Sequence, residues 1–229
     1  MSSQKVKDTK TMAIVLRRTN YGETDRVLQV ITPQGKKPVM AKGVRKEKSK
    51  LAGSVEMFCL LELILHEGEK DGFAVLIGAK LLKFYKGIIS DFDKLQIASE
   101  MLKKISQVAE TVDNPEYFEL LKQTLEALNN SDKTEMILAW FYFNLARVEG
   151  EQVNLYTDMD GDNLVEGEKY SWDSIEKALK KNESGKISTN EIKMMRLMIM
   201  ADLALVLKVK EAEEMTSELL YIAKTLNQI

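Results

Sequence analysis

The hydrophobic period of the chain changes once, near residue 90. Before that point apolar residues come in short β-rich runs separated by turn signals. Met12–Arg18 (MAIVLRR) is the first run, and Asn20-Tyr21-Gly22-Glu23 follows as a turn. Arg26–Thr32 (RVLQVIT) alternates, and Pro33-Gln34-Gly35-Lys36 supplies the tight connection of a hairpin to Pro38–Val44 (PVMAKGV). Val55–His66 and Phe73–Tyr85 complete the set, joined by a turn over Glu67–Gly72. Five antiparallel strands of this length, with a long connection between the third and fourth, predict a small closed barrel of the OB type.

Beyond Ser90 the period becomes helical. Leu95, Ala98, Met101, Leu102, Ile105 and Val108 recur at helical spacing within Phe92–Glu110. Asn114-Pro115 pairs a capping residue with proline at the first helical position, opening a helix to about Leu128. Ser131-Asp132 starts another, ending near Gly150. Alternation and an Asp/Gly/Asn turn then predict a β-hairpin within Leu155–Asp173, and Ser174–Lys181, Thr189–Leu207 and Lys210–Leu226 read as helices. The expected fold class is therefore α+β. An N-terminal five-stranded OB-fold barrel over residues 1–85 precedes a mostly α-helical domain over 86–229, with an inserted hairpin at 153–173.

Composition adds little to this until charge is placed along the chain. The 229 residues are 45% hydrophobic and 30% charged, as in a globular protein. No run approaches the roughly 18–20 apolar residues that cross a bilayer. The opening MSSQKVKDTK lacks the apolar core of a secretory signal, so a cytoplasmic location is expected. The net charge of −2 hides a strong polarity. Residues 1–50 carry 13 Lys/Arg against 4 Asp/Glu, and the remaining 179 carry 20 against 31. Such asymmetry points to a polyanion partner for the basic part. Cys59 is the only cysteine and His66 the only histidine, so neither a disulfide within the chain nor a Cys/His zinc site can form. Seven residues apart on one strand, the two face opposite sides, which argues against a nucleophilic pair. Cys59 is expected in the core and His66 at the surface.

The basic charge is densest in Ala41–Glu56 (AKGVRKEKSKLAGSVE) and just before it. Lys36, Lys37, Lys42, Arg45, Lys46, Lys48 and Lys50 face a single acid, Glu47, over Lys36–Lys50. Flexible cations on a loop leaving a rigid sheet suit the phosphates of a nucleic-acid backbone, where counterion release supplies sequence-independent affinity. Arg17, Arg18 and Arg26 on neighbouring strands extend the track. A solvated loop that binds nothing is the alternative reading of the same residues. Stacking aromatics are sparse: Tyr21 is expected to be exposed, while Phe58, Phe73 and Phe84 are expected in the core. The balance favours phosphate-led binding over base readout.

Three segments resemble the RecO family of DNA repair proteins: Ala13–Arg26 (AIVLRRTNYGETDR), the hairpin ending in Thr32 and Gly35, and Ala41–Glu56. The resemblance implies a non-enzymatic recombination mediator in the cytoplasm, associated with the nucleoid and without cofactor. Such proteins bind single- and double-stranded DNA and anneal complementary strands. They act with RecR and help load RecA onto strands coated by single-stranded-DNA-binding protein (SSB). Carried over position by position, Lys42, Arg45, Lys46, Lys48 and Lys50 fall on the family's basic loop, and Arg17, Arg18 and Arg26 on its basic strand positions. The resemblance also implies a dock for the acidic SSB C-terminal tail in the helical domain, with Lys193, Arg196, Lys208 and Lys210 as charged partners. An OB-fold module for structured RNA such as tRNA is the rival reading.

One departure from the family is evident. Many RecO proteins carry a cysteine-ligated zinc module in the helical domain, and this chain has no cysteine there. Val153–Asp173 is read as a metal-free hairpin in its place, packed through Leu155, Leu164, Tyr170 and Trp172. The Asp158-Asp160-Asp162 spacing resembles the start of a calcium loop. However, Asn163 stands where such a loop needs glycine and Lys169 where it needs a bidentate glutamate. A turn is the better reading, and neither a metal site nor catalytic residues are expected. The last helices are rich in methionine, and Met194, Leu197, Met198, Ala201 and Leu205 share one face that is read chiefly as core packing.

Overall fold

A computed structural model describes residues 8–49, 51, 53, 55–67, 73–109, 114–151, 153–210 and 212–228. The chain forms two compact units, Met1–Asn129 and Asn130–Ile229.

The first unit is built on five strands, β1 (Asp8–Tyr21), β2 (Asp25–Thr32), β3 (Gly35–Ala41), β4 (Cys59–His66) and β5 (Ala74–Phe84). They close into a barrel in the order β1-β2-β3-β5-β4, the arrangement expected of an OB fold. Closure depends on the length of β1, whose first half pairs with β4 (Asp8 opposite His66 to Ala13 opposite Leu61). Its second half pairs with β2, from Ile14 opposite Ile31 to Tyr21 opposite Asp25. A bulge between Val15 and Arg17 lets the strand turn from one partner to the other. Alternate residues point inward, and Ala13, Val15, Leu28, Val30, Val39, Leu61, Leu63 and Leu65 are each fully buried in the barrel core. The third strand ends at Ala41 rather than Val44, because Gly43 adopts a left-handed φ of 65° that strand geometry does not allow.

Phe73 and Phe84, expected in the core, are 48% and 47% exposed. Phe73 lies just before β5, out of phase with buried Ala74 and Leu76, and next to Phe84 a register shift between Leu60 and Leu61 interrupts the alternation. Helices α1 (Lys86–Ile89), α2 (Phe92–Val108) and α3 (Pro115–Asn130) complete the unit. Asp91 caps α2 by accepting the Lys94 amide, and Asn114 accepts the Glu116 amide ahead of Pro115. Helix α2 lies against β1, and Lys36 Nζ donates to the Ser106 carbonyl at 2.8 Å.

The second unit centres on α4 (Thr134–Val148), in which every residue from Met136 to Ala146 is buried. A helix apolar on all sides must be covered on all sides. Helices α5 (Thr189–Met200) and α7 (Thr216–Leu226) pack against it. The single helix expected over 189–207 breaks at Ala201, where the backbone becomes extended, and α6 (Leu203–Val206) restarts after Asp202. A 3₁₀ turn, Ala212–Met215, leads into α7 in place of a helix from Lys210.

The inserted hairpin lies further along than expected. Its strands are β6 (Tyr170–Asp173) and β7 (Ala178–Lys181), so the helix read over 174–181 is absent. Asp173 decides the matter: its Oδ1 accepts the amides of Ile175 and Glu176, each at 3.0 Å, which forces a turn where composition favoured a helix. Residues Val153–Lys169 form an irregular loop with one bridge, Thr157 opposite Asn163. The Asp-rich turn uses its first carboxylate on itself, since Asp158 Oδ1 accepts the amides of Asp160 (3.1 Å) and Asp162 (3.0 Å). Packing fixes the hairpin to its unit. Tyr170 and Leu179 are buried, Trp172 Nε1 donates to Thr225 Oγ1 at 2.8 Å, and Tyr170 exchanges backbone bonds with Ile187.

Candidate nucleic-acid interface

The loop after β3 is pinned to the turn between β1 and β2. The Gly43 amide donates to Asp25 Oδ1 at 2.7 Å. The Arg45 amide donates to the Thr24 carbonyl at 2.9 Å, and its guanidinium Nη1 to the Gly22 carbonyl at 3.2 Å. Two further bonds, Lys46 N to Gly43 O and Ser49 N to Lys46 O, fold the loop on itself. The hydrogen bond from the Gly43 amide, then that from the Thr24 hydroxyl, then the charges of Lys42 and Lys46 hold the Asp25 carboxyl below the usual carboxylate range. A carboxyl so depressed keeps its anchoring role at neutral pH. It loses that role only as pH falls through its own lowered value.

The pinning has a consequence for charge. Lys42, Arg45, Lys46 and Lys48 are exposed, and among the described residues none forms an ion pair. They stand as four cations on a folded platform tied next to Tyr21, which is 60% exposed, while Arg17 is exposed further along β1. Lys50 lies outside the described residues. Lys36 and Lys37 leave the group: the first is bonded to Ser106 and the second is paired with Glu67 at 3.3 Å.

Arg18 and Arg26 are placed differently from the loop cations. Both contact one carboxylate, that of Glu56, through Arg18 Nη1 to Oε2 and through Arg26 Nη1 to Oε1 at 3.9 Å. Arg26 Nε also donates to Asn20 Oδ1 at 3.2 Å. The expected track is thus two sets, one open and one occupied by an internal anion. No local pattern announced that pairing, because Glu56 lies 38 residues from Arg18 in the chain.

Cys59 and His66 lie at opposite ends and on opposite faces of β4. Cys59 is buried, and desolvation followed by the charge of Glu56 pushes its thiol up to about 11. His66 is exposed on the other face of β4, with Nδ1 2.8 Å from Asp8 Oδ1. Among the described residues no three His, Cys, Asp or Glu side chains are grouped to hold a metal ion, and no helix is long and apolar enough to cross a membrane.

In the second unit, Lys193 and Lys210 line one open groove together with Met194, Leu197, Val209 and Met215. Lys193 Nζ also reaches Glu166 Oε1 at 2.9 Å. Lys208 is exposed nearby in sequence. Arg196 is used internally, donating through Nε and Nη2 to the Leu155 carbonyl and lying over the Tyr156 ring at 5.1 Å.

Comparison with known proteins divides the chain much as its periodicity does. Residues 6–85 match the family model "Recombination protein O N terminal", and residues 89–226 match "Recombination protein O C terminal". Similar proteins include the DNA repair protein RecO of Dehalococcoides mccartyi, 34% identical over 150 residues (65% of this chain, 58% of the relative). Those of Roseiflexus sp. (30% over 150 residues, 64% and 52%) and Rubrobacter xylanophilus (28% over 166 residues, 71% and 66%) are also similar. The chain thus spans less than two thirds of the length of each of these relatives. With both family models matched in order across nearly its whole length, the chain belongs to the recombination protein O family.

Proposed function

We propose that the barrel of residues 1–85 binds single- and double-stranded DNA through phosphate contacts, and that the chain acts as a recombination mediator in DNA repair. The observation that carries this reading is the pinned loop, in which Lys42, Arg45, Lys46 and Lys48 are exposed on a folded platform. A loop whose backbone is already folded loses little conformational freedom when a polyanion arrives, so more of the counterion-release gain is retained. The mediator annealing complementary strands, and helping RecA load on SSB-coated strands together with RecR, is supported by membership of the family. Residues 86–229 are assigned to partner docking. The groove between Lys193 and Lys210, with a Met194/Leu197/Met215 floor, suits an acidic peptide with apolar side chains such as the SSB tail.

The test is annealing of complementary strands precoated with cognate SSB, with and without the protein, and with tRNA as competitor at equal salt. Faster annealing that tRNA does not suppress is expected. No acceleration sinks the mediator reading, and stronger binding to tRNA than to single-stranded DNA would make the barrel an RNA module.

A further inference from the structure

Glu56 lies between two arginines of the barrel. In the β1–β2 register Arg18 lies opposite Leu28 and Arg26 opposite Asn20. The two arginines are therefore diagonal neighbours on the face that carries Leu28 into the core. Each side chain is about a quarter exposed, at 28% and 25%. Two partly buried guanidinium groups on one face repel each other unless an anion lies between them. In this structure that anion is the Glu56 carboxylate, one oxygen to each arginine. Glu56 is itself 42% exposed and sits on the stretch joining the basic loop to β4. That stretch ends in Phe58 at a φ of 58°, a conformation costly for an aromatic residue, so the segment is held in place rather than relaxed there.

We infer that Glu56 is an internal stand-in for a backbone phosphate. It fills the Arg18/Arg26 site in the free protein and is displaced by DNA that the open loop cations have already captured. Exposed ion pairs are weak, whereas a phosphodiester held by neighbouring contacts meets the site at high effective concentration. The inference rests on the DNA-binding reading above. It adds that the displaced Glu56 carboxylate draws a solution cation as the phosphate sheds its own, so these two arginines contribute little net counterion release. Glu56 therefore sets how tightly the barrel holds DNA, limiting affinity so that strands can be released.

The experiment measures binding of oligo-dT across a salt series for the parent, Glu56→Gln, Arg18→Ala and Glu56→Gln/Arg18→Ala. Glutamine keeps the size and hydrogen-bonding groups of the side chain and removes only its charge. Affinity of Glu56→Gln is expected to rise about 5-fold near 0.1 M salt, with a log–log slope steeper by roughly 0.7–1.4 as one or two further contacts release counterions. Arg18→Ala should weaken binding of the parent, since it removes a phosphate contact, and Glu56→Gln should then add little on the Arg18→Ala background, the signature of a shared site. Unchanged or weaker binding by Glu56→Gln overturns the inference and leaves a purely structural ion pair. So does a gain that survives Arg18→Ala. A parent without salt-dependent binding overturns the DNA reading and this inference with it. Glu56→Ser replaces Glu56→Gln if the latter melts at a lower temperature than the parent.

Discussion

Replacing Lys42, Arg45, Lys46 and Lys48 together by alanine will remove most of the salt dependence of DNA binding. With the Arg18 and Arg26 contacts offset by the displaced Glu56 carboxylate, five described cations remain to give net counterion release: Arg17 and these four. At about 0.7 per contact on single strands, the parent slope is roughly −3.5, and affinity falls about 100-fold between ~50 and ~200 mM salt. Removing four contacts leaves a slope of roughly −0.7 and a fall of about 3-fold over the same range. At the low end of the series the variant should bind about 100-fold or more weakly. The substitutions lie outside the barrel core, so the melting profile should not move by more than a degree or two, about the scale of surface changes. As a control, alanine at Lys193 and Lys210 in the second unit should leave the slope unchanged. A quadruple variant with the parent's slope would place the DNA elsewhere on the molecule.

The second large effect is on folding. Gly185 passes directly beneath β6: a Cβ built there would lie 2.2 Å from the Tyr170 carbonyl oxygen, 2.4 Å from its carbon and 2.8 Å from the Asn182 oxygen. These are backbone atoms on two sides, so no side chain can swing aside to make room. Gly185→Ala must therefore part the chain at the Tyr170–Ile187 exchange that fastens the hairpin. A cost of about 3 kcal/mol is expected, at the upper end of overpacking, lowering the melting temperature by about 10 °C or more. Gly161→Ala is the comparison. There φ is +88° but nothing lies within 4 Å, so only the backbone preference of about 1 kcal/mol is lost. Equal melting of the two variants would show that close packing against Tyr170 does not hold the hairpin.

The barrel was legible in the sequence because its strands alternate and its turns carry Gly and Asn at the reversals. Asn114-Pro115 was equally readable, since a cap and a proline encode a helix start locally. Failures arose where a distant partner or a single side chain overrode local preference. Residues 174–181 (SIEKALKK) have helical composition, yet Asp173 turns the chain and Leu179 finds Trp172 across the ladder. Met200 and Leu205 fall outside any common apolar stripe because the helix breaks at Ala201. At the interface, the positions of Lys42, Arg45, Lys46 and Lys48 could be read from charge density. The split between open and occupied arginines could not, because ion pairing between Glu56 and two strands depends on barrel closure. Arg196 is a similar case: its charge was visible, and its engagement by Leu155 was not.

Closure itself has an uneven seam. Among the described residues β3 and β5 meet through two parallel pairs only, Val39 with Ala74 and Met40 with Val75, while the antiparallel ladders run to six pairs or more. This seam also joins strands separated by the entire basic loop and β4, so forming it carries a loop-closure cost that the hairpin ladders avoid. The β1–β2–β3 meander can therefore form early, and the last strand zips on afterwards. In the folded protein the same seam is expected to be the least stable ladder of the barrel. Backbone amides at Val39 and Met40 should exchange with solvent before those of the β1–β4 ladder. Because the basic loop is tied to Gly22, Thr24 and Asp25 rather than to β5, this seam can open without releasing the loop, so the barrel breathes while its cations stay in place.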